Sequence, residues 1–380
     1  MRLCDDPETH PITRLFSMSG AIFTGSYHAN DVQILLKVID VPDTSVEEKE
    51  RRIQQEQRHY SEMLSHESLP SAQYMQLFHQ AMQDNQMQMA KDCLCLAQKI
   101  AACRVGEIVL VSLARAGTPV GVVLKHTLSQ YFQREVSHYS ISIIRDRGID
   151  ENALNYILAR HKDSSIVFVD GWTGKGVIAR ELKQSIDGFN QRYALHIDSG
   201  LYVLVDLAGV AAVAASAEDY LIPSSILNAT LSGLISRSVL NANYINAQDF
   251  HGCVYYQQFA EADLSQWFVT ELLSCIEKLR LSGEHDKQAE VDCIALQQQS
   301  KAFIVRIKQQ YQISDENRIK PGIGEATRVL LRRVPDLVLL RDKNDAAVTH
   351  LSILAKEKQV SILYQADLPY RAVSLIKDVS

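Results

Sequence analysis

Between Glu107 and Ile222, short runs rich in Val and Ile alternate with stretches of helical spacing, and no other feature constrains the fold so tightly. The runs are Ile108–Ser112, Tyr139–Ile144, Ile166–Val169 and Leu201–Val205, with Asp219–Ile222 as a fifth. Helical spacing fills Pro119–Phe132, Glu151–Arg160 and Lys175–Ile186. A chain that repeats strand and helix in this order is expected to build an α/β parallel sheet with helices on both faces. Such sheets bind ligands beyond the carboxyl ends of their strands. The residues that follow each run are therefore the candidates for function.

The flanks are organised differently. An apolar run at Val32–Ile39 precedes a charged stretch, Ser45–His66, which reads as an exposed helix capped by Ser45 with Glu48 three residues on. Residues 74–103 continue as helix, and 257–312 turn helical again. A compact unit follows Pro321-Gly322, with helices expected at Glu325–Arg333 and Val348–Lys356, strands at Leu337–Leu340 and Val360–Leu363, and a last helix after Pro369. This divides 380 residues into a sheet domain with an N-terminal extension (1–250), a helical connector (251–317) and a small C-terminal α/β module (318–380).

Composition narrows the partners. The net charge of −6 argues against a nucleic-acid binder over the whole surface. From Arg318 to Ser380, however, 11 Lys/Arg face 7 Asp/Glu, so a mildly basic module sits on an acidic body. The seven cysteines form no CxxC pair, which fits a reducing cytosol better than a disulfide framework or a zinc ribbon. The polar first residues do not read as a signal peptide, and no apolar run is long enough to span a bilayer. A cytoplasmic protein without membrane or metal sites is expected.

Three loops carry candidate chemistry. After the third run comes Asp170-Gly-Trp-Thr-Gly-Lys-Gly176, opening onto a helix. Gly171, Gly174 and Gly176 permit tight turning, and the amides of Thr173 to Gly176 at a helix N-terminus suit a phosphate, with the Thr173 hydroxyl and the Lys175 ammonium beside them. Asp170 can accept hydrogen bonds from sugar hydroxyls. The spacing excludes a Walker A loop. After the first run, Ser112-Leu-Ala-Arg-Ala-Gly-Thr-Pro119 offers Arg115, Ala116 and Gly117 to phosphate oxygens. After the second, Arg145-Asp-Arg-Gly-Ile-Asp150 places Arg145 and Arg147 in a loop that could cover a polyanion.

The order of these loops resembles the type I phosphoribosyltransferase fold. More closely, VLVSLARAGTPVGVVLKH, HYSISIIRDRGID and IVFVDGWTGKG resemble the phosphoribosyltransferase family found with bacterial tellurite-resistance and stress-response operons. GSYHANDVQILLK and HYSEMLSHESLP extend that likeness over residues from about 19 to 250. The resemblance implies transfer of 5-phosphoribosyl from phosphoribosyl pyrophosphate (PRPP), with Mg²⁺, to a base-like acceptor. Asp170, Arg115, Arg145 and Arg147 would be catalytic, and Gly171, Thr173, Gly174, Lys175, Gly176, Ala116 and Gly117 would bind PRPP. The chain departs from classical members in having one acid before Gly171 and a shorter loop ending in Lys175-Gly176.

The C-terminal PGIGEATRVLLRR and LPYRAVSLIK are similar to the Pelota-type RNA-binding domain. That likeness implies that Gly324, Glu325, Thr327, Arg328 and Arg332 contact structured RNA, with Lys320 and Arg333 adding phosphate contacts. Two rival functions stand beside phosphoribosyl transfer. One is a non-catalytic regulator that binds a nucleotide or PRPP and RNA. The other is a cysteine protease, because the same family is also catalogued as StiP. For that reading His251-Gly-Cys253 is the only close His–Cys pairing in a loop-like setting.

Overall fold

The computed structural model describes residues 23–283 and 291–378. The first residues, expected to carry no signal peptide, and Cys4 lie outside the described residues. In chain order, β1 (Gln33–Leu35), β2 (Lys37–Val38) and β3 (Asp43–Thr44) lead into α1 (Val46–Gln54), β4 (Leu64–Ser65) and α2 (Ala72–Cys103). The central repeat runs β5 (Ile108–Ala114), α3 (Gly117–Tyr131), β6 (Val136–Ile144), β7 (Gly148–Ile149), α4 (Glu151–Leu158), β8 (Ile166–Thr173), α5 (Val177–Tyr193), β9 (Leu201–Asp206) and β10 (Val213–Ser216). Then come β11 (Gly252–Cys253), α6 (Ser265–Ser282), α7 (Cys293–Gln310), β12 (Ile319–Pro321), α8 (Ile323–Arg332), β13 (Pro335–Leu340), α9 (Thr349–Glu357), β14 (Ser361–Tyr364) and β15 (Ala372–Ile376).

The main sheet has the order β1-β6-β5-β8-β9-β10, and every neighbouring pair on this path is parallel. Its strands are apolar on both faces because helices cover both. Leu110, Val167, Val169 and Leu204 face α2, α3 and α6, packing with Phe78, Leu96, Val123, Leu128, Phe268 and Leu272. Val109, Val111, Phe168 and Val203 face the other way, against Leu154 and Ile157 of α4 and Leu182, Ile186 and Phe189 of α5. Among the described residues no helix is long and apolar enough to cross a membrane.

The C-terminal module is a second, smaller sheet of order β12-β15-β13-β14. Its α8 buries Ile323, Ala326 and Leu330 in the same apolar cluster as the main sheet's α2 face. Helix α7 packs on the module instead, placing Phe303 and Ile307 against Ile319, Leu339 and Val373. The α-helical connector is thus divided, with α6 on the body and α7 on the module.

Three local expectations are corrected. The helix expected after Pro369 is the strand β15, buried along its whole length between β12 and β13. The fifth strand is Val213–Ser216 rather than Asp219–Ile222. Asp219 instead turns its carboxylate to the module and accepts the backbone N–H groups of Ile323 and Arg371, each at 2.8 Å. The helix from Ser45 starts where expected, with the Ser45 hydroxyl accepting the Glu48 N–H at 3.2 Å, but it ends at Gln54.

Candidate functional site

Strands β5, β6 and β8 end at one cleft, of about 500 Å³, whose opposite wall is β12 and α8 of the C-terminal module. Strand β8 runs further than its apolar run implies, since Trp172 and Thr173 still pair with Val205 and Asp206. The turn is therefore confined to Gly174–Gly176. Gly176 has φ +74°, and a Cβ there would collide with the Val210 side chain, so only glycine fits. The Thr173 hydroxyl accepts the Gly176 N–H at 2.9 Å, which closes the turn from within. Gly117 serves a different need: a Cβ would lie 2.8 Å from the Val169 carbonyl oxygen, so glycine lets α3 start against the end of β8. A Cβ at Gly171 would meet only the Val120 side chain, at an ordinary 4.0 Å, and Ala116 lines the cleft.

The expected arginines are distributed unevenly. Arg115 is a clamp: it donates to Glu67 and the Ile235 carbonyl, each at 2.9 Å, and to Asn228 at 2.7 Å. Arg147 points away from the cleft and pairs with Glu62 at 3.2 Å. Arg145 lines the cleft, lies over the Tyr60 ring at 5.2 Å and bonds Asp146 through Nε. Arg237, which the sequence reading left unremarked, lies over the same ring at 5.5 Å and donates to the Tyr60 and Met63 carbonyls.

Of the residues expected to bind RNA, Thr327 is buried within the module and the others face the sheet domain. Arg332 donates to the carbonyls of Ser225 and Ile226. The Thr327 hydroxyl is buried, bonding the Ile323 carbonyl at 2.8 Å and His350 at 2.9 Å. Gly324 packs against Ser225, whose hydroxyl would sit 3.6 Å from a Cβ there. Glu325 and Arg328 pair at 3.1 Å and line the cleft, with Arg328 over the Trp172 ring at 5.5 Å. Lys175 reaches across to the Glu316 carbonyl. Residues assigned from sequence to a sugar-phosphate loop and to an RNA face thus form the two walls of one cleft.

Burial dominates the electrostatics of this cleft. It pushes the Asp170 carboxyl up to about 7, against the opposing effects of the Gly171 N–H at 2.8 Å and of Arg328. It pulls Lys175 down to about 8, Arg332 to about 9 and Arg237 to about 10, and it lowers Lys320 as well. Glu325 stays below the ordinary range: burial opposes ionisation, but Arg328 and Lys320 outweigh it. Among the described residues no three His, Cys, Asp or Glu side chains stand together as a metal site. The Mg²⁺ expected with PRPP would find only Asp170 and Glu325 deep in the cleft, so a divalent ion there would depend on ligand oxygens for most of its coordination.

Among the described residues no cysteine lines the cleft. Cys93, Cys253 and Cys275 are buried, Cys95 is half-buried, and Cys103 and Cys293 are exposed. Burial raises the thiols of Cys93, Cys95 and Cys275, and pushes Cys253 up to about 12. His251 lies two residues before Cys253 on an extended ladder, in which the His251 and Cys253 carbonyls accept from Lys37 and Ile39 at 2.9 and 2.8 Å. Its Nδ1 is 2.8 Å from the Ser142 hydroxyl, and its backbone N–H donates to Asp150 at 2.6 Å. Burial lowers the His251 pKa, against the opposing effect of Asp150, and so favours the neutral imidazole.

A family model described as "Tellurite-like stress resistance cysteine protease StiP" matches residues 25–273, and one for the PELOTA RNA binding domain matches residues 298–378. The cysteine protease StiP of Acinetobacter baylyi (strain ATCC 33305 / BD413 / ADP1) is 45% identical over 367 residues, which is 93% of this chain and 94% of that protein. Among solved structures, the hypoxanthine phosphoribosyltransferase of Trypanosoma cruzi is 14% identical with a TM-score of 0.26, over 36% of this chain and 82% of that one. A second structure of the T. cruzi enzyme is 16% identical with a TM-score of 0.26, over 34% of this chain and 74% of that one. Likeness at that level carries no argument about activity. The expectation of a Mg²⁺-dependent phosphoribosyltransferase is therefore corrected: the full-length relative and the family match both point to a cysteine protease.

Proposed function

The chain belongs to the StiP family, and on that premise we propose that it hydrolyses peptide bonds with Cys253 as nucleophile and His251 as its base. One observation carries the assignment. The family match spans residues 25–273 and contains four cysteines, 93, 95, 103 and 253, of which only Cys253 has a histidine two residues away in extended backbone, just before β11. Residues two apart on a strand point to the same face, so the imidazole and the thiol lie on one side of the 251–253 ladder. The Ser142 hydroxyl holds the imidazole through Nδ1, and Asp150 accepts the His251 backbone N–H.

Buried as it is, Cys253 rests as a thiol, and the His251 imidazole is bonded at Nδ1 to the Ser142 hydroxyl, so attack requires the imidazole to turn to the sulfur. Hydrolysis by this pair begins with transfer of the Cys253 proton to His251 as sulfur attacks the peptide carbonyl carbon. The C–N bond then breaks, the departing amine takes the proton from His251, and water cleaves the thioester to regenerate the thiol.

The test is peptide and casein hydrolysis by the full chain and by Cys253→Ser, His251→Ala, Cys95→Ser and Cys103→Ser variants. Cys253→Ser and His251→Ala should each reduce turnover by roughly a hundredfold or more, with the other two unaffected. Retained activity in Cys253→Ser would remove this dyad, and retained activity in all four would remove the thiol mechanism.

RNA contact by the C-terminal module is a second reading, supported by the PELOTA match. Arg328 is its best-placed residue, because Thr327 and Arg332 are already engaged in packing. Salt-dependent binding of structured RNA that weakens in Arg328→Ala would support it, and binding unchanged by that substitution would count against it.

A further inference from the structure

We propose that the slot between α2 and α9 is a binding site for a small cationic amphiphile, a molecule that carries an amine on an apolar body. The slot has a volume of about 600 Å³, within the range of small-molecule sites. It shares no lining residue with the cleft at the Gly174–Gly176 turn. One wall is α2 of the sheet domain, and the other is α9 with the turn Ala346–Val348 before it. The walls are braced against each other. The Tyr74 hydroxyl donates to the Leu331 carbonyl at 2.6 Å, and the Gln73 amide donates to the Glu357 carboxylate. A site assembled in advance gives up little on binding.

The apolar surface of the slot comes from both parts of the chain. Leu77 and Leu221 belong to the sheet domain, Leu331 and Leu354 to the module, and Ile353, which also lines the slot, is 54% exposed. Covering these side chains with an apolar body removes them from water, which favours binding. The polar groups set the sign of the ligand. Among the described residues no Lys or Arg lines the slot, and Asp84 is the one acid that does. One Asp84 oxygen accepts the Gln80 amide at 2.9 Å, and the other has no partner among the described residues. Glu357 adds a second carboxylate at the Gln73 end.

Nothing in the lining offsets these acids. Burial pulls His350 down to about 4, and its Nε2 is 2.9 Å from the Thr327 hydroxyl, so the imidazole brings no positive charge at neutral pH. The start of α9 offers no free amides to an anion either. The Ala347 N–H donates to the Asp345 carboxylate at 3.0 Å, and the Thr349 N–H donates to the Ala346 carbonyl. A cavity lined by one sign of charge concentrates the opposite sign, so the slot selects an amine and disfavours a carboxylate or phosphate. Asp84 lies two turns along α2 from Leu77, about 10 Å away, which sets the separation between the amine and the apolar body. Neither His251, Cys253 nor Arg328 lines the slot, so the proposal stands apart from peptide hydrolysis and from RNA contact.

The experiment compares 4-phenylbutylamine, 4-phenylbutanol and 4-phenylbutyrate, which share one apolar body and differ in charge. Each is added to the full chain in calorimetric titration and in thermal unfolding. The amine should bind about two- to fivefold more tightly than the alcohol, the carboxylate should bind less tightly than either, and saturating amine should raise Tm by at least ~2 °C. Asp84→Asn should remove the advantage of the amine and leave binding of the alcohol unchanged. Ala346→Trp, at an exposed position that lines the slot, should abolish binding of all three while far-UV circular dichroism stays that of the wild type. Absence of amine binding by the wild type would overturn the proposal. So would a carboxylate that binds as tightly as the amine, or amine binding undiminished in both variants. A rise in Tm with a basic amphipathic helical peptide and none with the amine would overturn it in favour of a partner helix.

Discussion

Asp170→Asn is the substitution that best separates the physical account of the cleft from its alternatives. Among the described residues the Asp170 carboxyl has one hydrogen bond, from the Gly171 N–H, and burial raises its pKa from 3.8 to about 7. A carboxyl whose folded-state pKa is raised favours the fold most below its unfolded pKa, and that advantage is lost as pH climbs through the folded value. Wild type should therefore lose stability between pH 4 and about 7, and the amide should lose none through this site. At roughly 1.4 kcal/mol per tenfold change in proton affinity, the gap is worth on the order of 4 kcal/mol. Water entering the open cleft screens part of it, leaving roughly 2 kcal/mol at the lower end. Urea unfolding of both proteins from pH 4 to 8 reads the difference directly. The stability of Asp170→Asn relative to wild type should grow with pH up to about 7 and then level. A difference that does not vary with pH would refute the claim that burial of this carboxylate controls the site.

Two further substitutions probe the scaffold. Gly176→Ala should destabilise by about 1–3 kcal/mol, because it imposes a positive φ and a collision with Val210; a urea midpoint equal to wild type would show that the turn can relax. Asp219→Ala removes the acceptor for the Ile323 and Arg371 N–H groups, at a cost of about 2–4 kcal/mol. Hydrogen exchange should then quicken at those two amides and along β15, and unchanged protection there would mean that Asp219 does not hold the module.

The sheet was legible because its strands are buried on both faces and therefore read as uninterrupted Val/Ile runs, from Ile108 to Val205. Strand β15 has the same character, Ala372-Val-Ser-Leu-Ile376, but it is short and follows a proline, so helix and strand were not separable by spacing. The helix from Ser45 was read too long because its charged composition continues past Gln54. Asp219 was hidden for another reason. Its role is to accept two backbone N–H groups from residues more than 100 positions away, and no local pattern encodes such a contact.

The cleft shows the same division between local and distant information. Glycines 174 and 176 and the acid at 170 were readable as a strand-to-helix turn, because turn chemistry is local. What the turn faces was not readable. Lys320, Arg328 and Arg332 were attributed to RNA contact through the likeness to the Pelota-type domain, yet α8 lays its apolar side, Ile323, Ala326 and Leu330, into the core of the main sheet. Burying that side turns the basic residues beside it inward, and the cleft acquires its charge as a consequence of docking. The proposed thiol was visible only as a close His–Cys pairing. A nucleophilic cysteine requires no glycine loop and no charge run, only a base on the same face, and His251-Gly-Cys253 is the minimal sequence that can provide one.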